Sequence, residues 1–495
     1  MVAQGASLRI LIDTNIFIAA ESEATKLHVN AVNATALYRL ATELRHTLCV
    51  GSGTLEDIAR HHDEAHRAKR RQQLQRYHIF DSVDIPPGLQ AKAGYPPRIN
   101  AQSRVDLSLL LLLDRGAAQW LVTEDQRILP HARALQLEDR VFSLSDSLDV
   151  LSRQRHQPVN VPAVTEIKGY QLDRDDPIFD EFADEYDIRA WLKNKVAPEA
   201  RVCLVMQDPG ESLDAVVILK EETETSGGLP GKVLKICTFK VSPHARGVKR
   251  GELLLWAVFE HARTNAYDSM FIEVFSREVA LIELFEAFGF TKLDTTDRED
   301  ELVLGKRLQP ASRPDGLDPL GYAIEFGPGA IAPTRWFIVP IIPKWHRSLF
   351  PVADDSGQFA LYDGMTDQGN AIRKAYVCHS PSKQLRPGDT LLFLRTRQNQ
   401  MANVIGVVEE TTRSSDPTRV LEFTGRRTVY TPAEIADMCS KGEVLAIRFR
   451  LDRVLDTPIS SDELRERGVM ARSPMSVQLV SDEGAVEWLE TLISV

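Results

Sequence analysis

The sequence predicts a multidomain α/β protein with a parallel-sheet α/β domain, an α+β domain and a C-terminal β-barrel. With 495 residues the chain is too long for a single hydrophobic core. Two proline-containing stretches, residues 153–164 and 307–321, break regular structure. Each of the three pieces that they separate has its own pattern of strands and helices. The predicted domains are therefore residues 7–155, 160–308 and 322–495.

Composition limits the classes of function. The net charge of -11 argues against one large basic surface, so nucleic acid would have to contact local patches. The longest apolar stretch, LSLLLLL at residues 107–113, is too short to cross a bilayer. The N-terminus shows no basic region followed by an apolar one, so no signal peptide is predicted. Five widely spaced cysteines fit reduced thiols and argue against a zinc site. These features predict a cytoplasmic protein without a membrane partner.

The first piece alternates strands and helices. RILIDTN predicts a parallel strand that is apolar on both faces, and residues 30–45 have a helical period. A short strand and a long helix follow, and then a helix, a turn at Gly116 and the strand QWLVTED. This alternation is typical of an α/β layered domain.

Four carboxylates of this domain are candidates for one site. Asp13 and Asp125 end predicted strands, while Glu56 and Asp106 are predicted to begin helices. Ligands of α/β sheets gather beyond the carboxyl ends of the strands. Four carboxylates cannot all ionise in one cleft without a cation, and Mg²⁺ or Mn²⁺ suits oxygen ligands. The alternative is that these acids are helix caps and surface charges, because an acid at a helix start favours the dipole anyway.

This set resembles the PIN domain, a metal-dependent ribonuclease fold, over roughly residues 8–150. The resemblance is carried by LIDTNIF, by the acid at Glu56, by RVDLSLLLLL and by WLVTED. It implies a metal that activates water and stabilises the charge developing on a phosphodiester. The residues that it implies as catalytic and metal-binding are Asp13, Glu56, Asp106 and Asp125, supported by Thr14, Asn15 and Thr123.

A basic run follows Glu56 on the predicted long helix. Its arginines could bind phosphates beside the metal site. The alternative to RNA binding is that the run forms a solvated basic face of the helix. The candidate RNA-binding residues of this run are Arg67, Arg70 and Arg71.

In the second piece, VSPHARGVKRGELLLWAVFEHA joins a strand to a helix. Free N–H groups at such a helix start bind phosphate well. The stretch resembles the pyrophosphate-binding loop of GNAT-type acetyltransferases, and MFIEVF and LIELFEAFGF match the rest of that fold over roughly residues 165–307. The resemblance implies that acetyl-CoA is a ligand. The residues implied to bind it are Val241, Arg246, Gly247, Lys249, Arg250 and Gly251.

Two departures from the GNAT pattern bear on activity. Lys249 replaces the middle glycine, where it would either attract the pyrophosphate or block close approach of the backbone. Phe285 replaces the tyrosine that serves as the family's acid, and phenylalanine cannot deliver a proton to a departing thiolate. Acyl transfer and a retained fold used for binding or packing therefore both stay open.

The third piece reads as short strands with turns, and LRPGDTLLF resembles the small RNA-reading β-barrels of the PUA and EVE type. Basic residues mixed with aromatic ones suit bases and phosphates. The alternative is that aromatic residues of this piece pack in a hydrophobic core. Trp336, Phe337 and Phe393 are assigned to that core. The candidate RNA-binding residues are Arg373, Lys374, Arg426 and Arg427.

The leading hypothesis is a metal-dependent ribonuclease with an RNA-reading barrel and an acyl-CoA-binding domain. One alternative is a GNAT-type N-acyltransferase acting on RNA-linked or protein amines, with the first domain gripping substrate. Another is a non-catalytic RNA-binding scaffold. The partners that follow are RNA and, by analogy with toxin or defence proteins alone, an antitoxin protein or a second copy of the chain.

Overall fold

The computed structural model describes most of the chain. The described residues are 8–21, 29–44, 46–59, 64–74, 76–81, 83–152, 164–182, 187–207, 212–222, 228–242, 250–295, 300–308, 310, 314, 316–353, 371–397 and 400–493. The predicted linker at residues 153–164 therefore lies outside them, except for its last residue.

The N-terminal region contains a five-stranded parallel sheet with the order β3-β2-β1-β4-β5. The strands are β1 (Arg9–Ile12), β2 (Thr47–Gly51), β3 (His78–Phe80), β4 (Trp120–Val122) and β5 (Val141–Phe142). The two strands at the centre, β1 and β4, are almost wholly buried, as branched apolar strands are when helices cover both faces. The predicted parallel-sheet domain is confirmed.

Eight helices accompany this sheet among the described residues. They are α1 (Thr14–Ala20), α2 (Ala31–Glu43), α3 (Ser52–Ala59), α4 (Glu64–Leu74), α5 (Pro87–Lys92), α6 (Ala101–Asp114), α7 (Leu129–Ala134) and α8 (Leu144–Ser152). Where one long helix is predicted after β2, the structure has α3 and α4, and residues 60–63 between them lie outside the described part.

The longest apolar stretch of the sequence lies in α6. Its leucines are buried in the core of the first sheet, together with residues such as Leu11 and Leu121. The stretch is therefore a core helix. In the part of the chain that the structure describes, no helix combines the length and the apolar character that crossing a membrane requires.

The second sheet has seven strands in the order β11-β12-β10-β9-β8-β7-β6. The strands are β6 (Val164–Lys168), β7 (Val202–Gln207), β8 (Leu213–Glu222), β9 (Val233–Val241), β10 (Ser269–Phe275), β11 (Thr291–Thr295) and β12 (Glu301–Arg307). All neighbours are antiparallel except β9 and β10. The helices are α9 (Ile188–Trp191), α10 (Arg250–Thr264) and α11 (Val279–Ala287).

The parallel strands β9 and β10 are paired over only part of their length. Their pairing begins at Val233 and Ser269 and ends at Ile236 and Ile272, although both strands continue. A β-bulge at Cys237 disturbs the register of β9 against β8 at the same level. A bulge bends its strand and increases the twist, so it accounts for the loss of pairing with β10. The carboxyl ends of these two parallel strands are therefore not paired with each other, and we call this place the opening between β9 and β10.

The third sheet has the order β14-β17-β16-β15-β13-β18. The strands are β13 (Trp336–Ile341), β14 (Arg373–Cys378), β15 (Thr390–Arg395), β16 (Met401–Ser414), β17 (Val444–Ser460) and β18 (Gln478–Leu479). The helices of this region are α12 (Pro319–Glu325), α13 (Pro343–Leu349), α14 (Pro417–Thr424), α15 (Pro432–Ser440), α16 (Ser461–Glu466) and α17 (Glu483–Thr491). Within the described residues β14 and β18 end the sheet without pairing to each other, so the predicted closed barrel is not confirmed.

The chain forms two compact units whose boundaries are not linear. One unit holds residues 1–157 and 413–444, and the other holds residues 158–412 and 445–495. Helices α14 and α15, which lie between β16 and β17, therefore belong with the first sheet. We call residues 413–444 the inserted segment.

Buried polar contacts attach the inserted segment to the first sheet. Arg427 donates from Nε to Asp139 Oδ1 at 2.6 Å, and the two residues are only 4% and 2% exposed. Arg140 lies 3.4 Å from Glu422. Gly425 has a positive φ, and a Cβ there would overlap the backbone of Asp139. The segment thus lies beside the residues that precede β5.

Candidate functional site

Asp13 lies at the carboxyl end of β1, where the sequence predicts a site. Since β1 and β4 are parallel neighbours in register, Asp13 and Thr123 follow them side by side. Asp13 Oδ2 accepts from Thr123 Oγ1 at 2.7 Å and from Asn15 Nδ2 at 2.6 Å, and its Oδ1 accepts from the Thr14 amide at 2.6 Å. Asp13 is only 4% exposed, and burial raises its pKa despite these donors.

Three further acids are close enough to interact with Asp13 electrostatically. Burial, followed by the charge of Asp13, raises the pKa of Asp106 to about 6. The charges of Asp125 and Asp57 raise the pKa of Asp13. Asp57 is also linked to the site by Thr14, whose hydroxyl donates to Asp57 Oδ2 at 3.0 Å. We call Asp13, Asp57, Asp106 and Asp125 the acidic rim.

Glu56 is not brought to the acidic rim in the way the sequence suggests. It lies on α3 with an exposed side chain, whereas the next residue, Asp57, is half-buried and faces Thr14. Consecutive residues of a helix point about 100° apart, so only one of the two can face β1. Helix α6 also begins earlier than expected, with Asn100 as its cap and Asp106 in its second turn.

The acidic rim does not fit a metal ion as the structure has it. Arg127 forks onto Asp125, with Nε 2.9 Å from Oδ1 and Nη2 2.6 Å from Oδ2. This pairing lowers the pKa of Asp125. No group of three or more His, Cys, Asp or Glu side chains among the described residues is placed to hold a metal ion. Charges interact over longer distances than the roughly 2.0–2.1 Å of an Mg²⁺ ligand, so coupling alone makes no metal site. The predicted Mg²⁺ or Mn²⁺ is not supported.

Replacing Asp106 with Asn is expected to stabilise the first unit at pH 8. Its pKa of about 6 in the folded protein exceeds the ordinary 3.8, so the folded state disfavours the ionised form. Stability therefore falls as pH rises from about 4 to 6, and the penalty stays above pH 6. We expect Asp106→Asn to gain about 2 kcal/mol at pH 8 and almost nothing at pH 4.

Thermal unfolding at the two pH values measures this difference. Asp84→Asn, at an exposed loop position of the same unit, is the control and should change stability little at either pH. A loss of stability in Asp106→Asn at pH 8 would mean that the ionised carboxylate is held by a partner and would contradict the expectation.

The predicted RNA-binding arginines of α4 differ in their exposure to solvent. Arg70 is buried, and its Nη1 donates to the backbone oxygen of Glu21 at 2.8 Å, so it holds the end of α1. Arg67 is half-buried, whereas Arg71 is exposed. The structure therefore leaves Arg71 accessible to a phosphate, and the assignment of Arg70 to RNA is not supported because its side chain is enclosed.

The predicted RNA-binding residues of the third piece are mostly enclosed as well. Lys374 is 1% exposed, and burial lowers its pKa to about 7. Arg373 pairs with Glu409 at 2.8 Å. Arg427 is the buried partner of Asp139. The side chain of Arg426 lies outside the described residues. Lys374 and Arg427 are thus both buried, which does not support an RNA-binding role, and that role stays a prediction.

The second sheet presents the other candidate site, at the opening between β9 and β10. Helix α10 begins at Arg250, shortly after β9 ends at Val241. Residues Arg246, Gly247 and Lys249, which the sequence assigns to pyrophosphate, lie outside the described part. The start of α10 thus stands near the carboxyl end of β9, which suits an anionic ligand.

Side chains at the start of α10 have partners of their own. Arg250 forms an ion pair with Asp214. Glu252 is buried and accepts from the Ile372 amide at 3.0 Å. Gly251 has space beside it, since a Cβ there would lie in ordinary contact at 3.4 Å from Leu284. The side chains of Arg250 and Glu252 are therefore both engaged within the protein.

Phe285 is a core residue of α11. It is fully buried, and its ring meets Phe239 at 5.3 Å and Phe290 at 4.7 Å in edge-to-face contacts. The structure thus gives a packing role to the position where the sequence shows no proton donor.

Comparison with known families identifies this part of the chain. Residues 168–290 match the model of the acetyltransferase (GNAT) family. This part of the chain is similar to GNAT acetyltransferases. The match covers β7 to β10 with α10 and α11, and so includes the opening between β9 and β10.

Solved structures and curated proteins add no functional argument. The chain is similar to yncA of Salmonella typhimurium with its cofactor acetyl-CoA, at 16% identity, 31% of this chain, 99% of that chain and a TM-score of 0.24. It is similar to the PaiA N-acetyltransferase of Thermoplasma acidophilum in complex with coenzyme A, at 14% identity, 29% and 99% coverage and a TM-score of 0.22. It is also similar to ASCH from Zymomonas mobilis, at 12% identity, 31% and 94% coverage and a TM-score of 0.24. No curated protein matches the chain significantly.

Proposed function

We propose that the protein is an N-acyltransferase that uses acetyl-CoA and an amine acceptor on a protein or an RNA. The observation that carries this proposal is the GNAT family match at residues 168–290. The opening at the carboxyl ends of β9 and β10 supports it, because ligands of sheets with parallel strands bind at such ends. The start of α10 supports it as the place for the pyrophosphate, because helix starts favour anions.

The residues of the chain bind and orient the reactants in this proposal. The pairing of β9 with β10 ends at Ile236, so an extended ligand is proposed to lie along the carboxyl-terminal part of β9. The amine attacks the thioester carbon, a C–N bond forms and the C–S bond breaks. The amine proton leaves to water. Phe285 offers no proton to the thiolate, so turnover is slow unless water supplies one.

Titration calorimetry with acetyl-CoA tests the proposal. We expect binding in the micromolar range, on the order of -8 kcal/mol, and slow release of free thiol when a peptide or RNA amine is added. The absence of both heat and a thermal shift at millimolar acetyl-CoA would reject acyl transfer by this protein.

Metal-dependent RNA cleavage is the second candidate function. It rests on the placement of Asp13 and Asp125 after the parallel strands β1 and β4, although no metal site is formed by the described residues. RNA as a partner, an antitoxin and self-association belong to this candidate as proposals. It requires RNA cleavage in Mn²⁺ that falls at least roughly a hundredfold in a folded Asp13→Asn variant. Cleavage that is equal in both proteins would reject it.

A further inference from the structure

A buried carboxylate of the third sheet lies between two arginines of the same sheet. Arg373 on β14 and Arg450 on β17 are partners in the antiparallel register, so they stand directly opposite each other. Glu409 Oε1 on β16 accepts from Arg373 Nε at 2.8 Å and lies 2.8 Å from Arg450 Nε. The side chains of Arg373, Glu409 and Arg450 are only 14%, 12% and 10% exposed. Like charges at opposite cross-strand positions repel, so the charge of Glu409 stabilises this arrangement.

The first of the two arginines leads to the start of α10. The amides of Ile372 and Arg373 donate to Glu252 Oε2, at 3.0 Å and 3.4 Å. Glu252 belongs to the first turn of α10 and is 7% exposed. Separation of the two elements would leave a buried carboxylate and two amides without their partners, which is costly. These hydrogen bonds therefore hold the first turn of α10 against β14.

The second arginine leads to the same turn through α11. Arg450 Nη2 donates to the backbone oxygen of Ala287, the last residue of α11, at 2.9 Å. A cation at the C-terminal end of a helix satisfies a free carbonyl and suits the helix dipole. Leu284 precedes Ala287 by one turn, and its Cδ2 would lie 3.4 Å from a Cβ at Gly251. Both contacts of Glu409 thus lead to the first turn of α10.

We propose that Glu409 is a positioning residue for the acyl-CoA site, which holds the first turn of α10 in place from the third sheet. This inference rests on the proposed acyltransferase function. It assigns part of the affinity for acyl-CoA to residues beyond the family match at 168–290, because Arg373, Glu409 and Arg450 all lie after it. These three residues act through α10 and α11.

Glu409→Gln tests the proposal because it removes the charge and keeps the volume. We expect the dissociation constant of acetyl-CoA to rise about tenfold, which corresponds to about 1.4 kcal/mol. Asp389→Asn is the matched control, since Asp389 is 2% exposed and pairs with Arg335 at 2.6 Å beside the same sheet. Both replacements break a buried ion pair and should lower the melting temperature. Only Glu409→Gln should change the affinity for acetyl-CoA.

Hydrogen exchange of the wild-type protein provides a measurement that needs no variant. Coupling between two sites is reciprocal, so a contact that positions the ligand site must respond to the ligand. Acetyl-CoA at the start of α10 should hold Glu252 against β14, and the amides of Ile372 and Arg373 should then open less often. With saturating acetyl-CoA we expect the exchange of peptide 371–378 to slow at least about threefold. Peptide 390–395 of β15 should exchange at an unchanged rate.

Three results would overturn the proposal. An affinity of Glu409→Gln within about twofold of the wild type would mean that the network stabilises the fold alone. An equal loss of affinity in Asp389→Asn would assign the effect to general destabilisation. Unchanged exchange of peptide 371–378 on acetyl-CoA binding would exclude the coupling even if Glu409→Gln does not fold. Failure of the wild-type protein to bind acetyl-CoA is a separate result, which would overturn both this inference and the acyltransferase function.

Discussion

Arg427→Met is expected to lower the unfolding free energy of the first unit by about 3–5 kcal/mol. The replacement removes the guanidinium that lies 2.6 Å from the buried Asp139 carboxylate and keeps most of the side-chain volume. Asp139 then loses that charge partner away from water, and the break of a buried ion pair, rather than lost packing, accounts for the size of the effect. Calorimetric or denaturant unfolding of the full chain measures the loss.

The same segment provides a control for this prediction. Lys441 pairs with Asp437 on α15, but the two side chains are 64% and 50% exposed. Exposed pairs contribute little, so Lys441→Met should cost less than about 1 kcal/mol. If Arg427→Met cost no more than Lys441→Met, the buried pair would not be what attaches the inserted segment.

Gly251→Asp is expected to weaken acetyl-CoA binding by roughly 30-fold or more. The added carboxylate would stand in the first turn of α10, where the pyrophosphate is proposed to bind. Two like charges about 5 Å apart repel by about 3 kcal/mol at an effective dielectric constant of 20. The fold should tolerate the change, because a Cβ at Gly251 has room and an acid suits a helix start.

Gly251→Asn separates charge from size in this experiment. Asparagine has nearly the volume of aspartate and no charge, so it should lose only a few-fold in affinity. Melting temperatures of both variants without ligand establish that the fold is intact, and titration calorimetry gives the two affinities. Equal affinities of the two variants would contradict a pyrophosphate site at this helix start.

Much of the fold follows from local patterns in the sequence. The apolar strand that ends at Asp13 and the strand that ends near Asp125 have the predicted parallel arrangement, because uninterrupted branched residues favour buried strands. Helices α10 and α11 and strand β10 lie where the pattern predicts them.

The remaining features depend on contacts between distant residues. The sequence suggests that Arg427 binds phosphate together with Arg426. In the structure Arg427 pairs instead with Asp139, which is far away in sequence. Whether Asp57 or Glu56 faces Thr14 depends on how α3 is rotated about its axis. An error of one residue in the predicted start of the helix changes that rotation by about 100°, so the sequence does not decide between the two acids.

The third sheet shows a different limit of sequence patterns. Short strands and the turn before Thr390 are typical of a barrel, but closure depends on whether the end strands pair. Strands β16 and β17 are long, and helices α14 and α15 between them belong to the first unit. No local signal marks a segment that completes another domain, so this division was not predictable from composition or spacing.

The inserted segment also sets the order in which the protein is completed during synthesis. The first unit needs residues 413–444, which leave the ribosome roughly 250–290 residues after residue 157. At about 5–20 residues per second this delay lasts about 15–60 s. During that time the nascent N-terminal sheet exists without the contact between Asp139 and Arg427. Domains usually finish in N-to-C order, but here the first unit becomes complete only after most of the second unit has been translated.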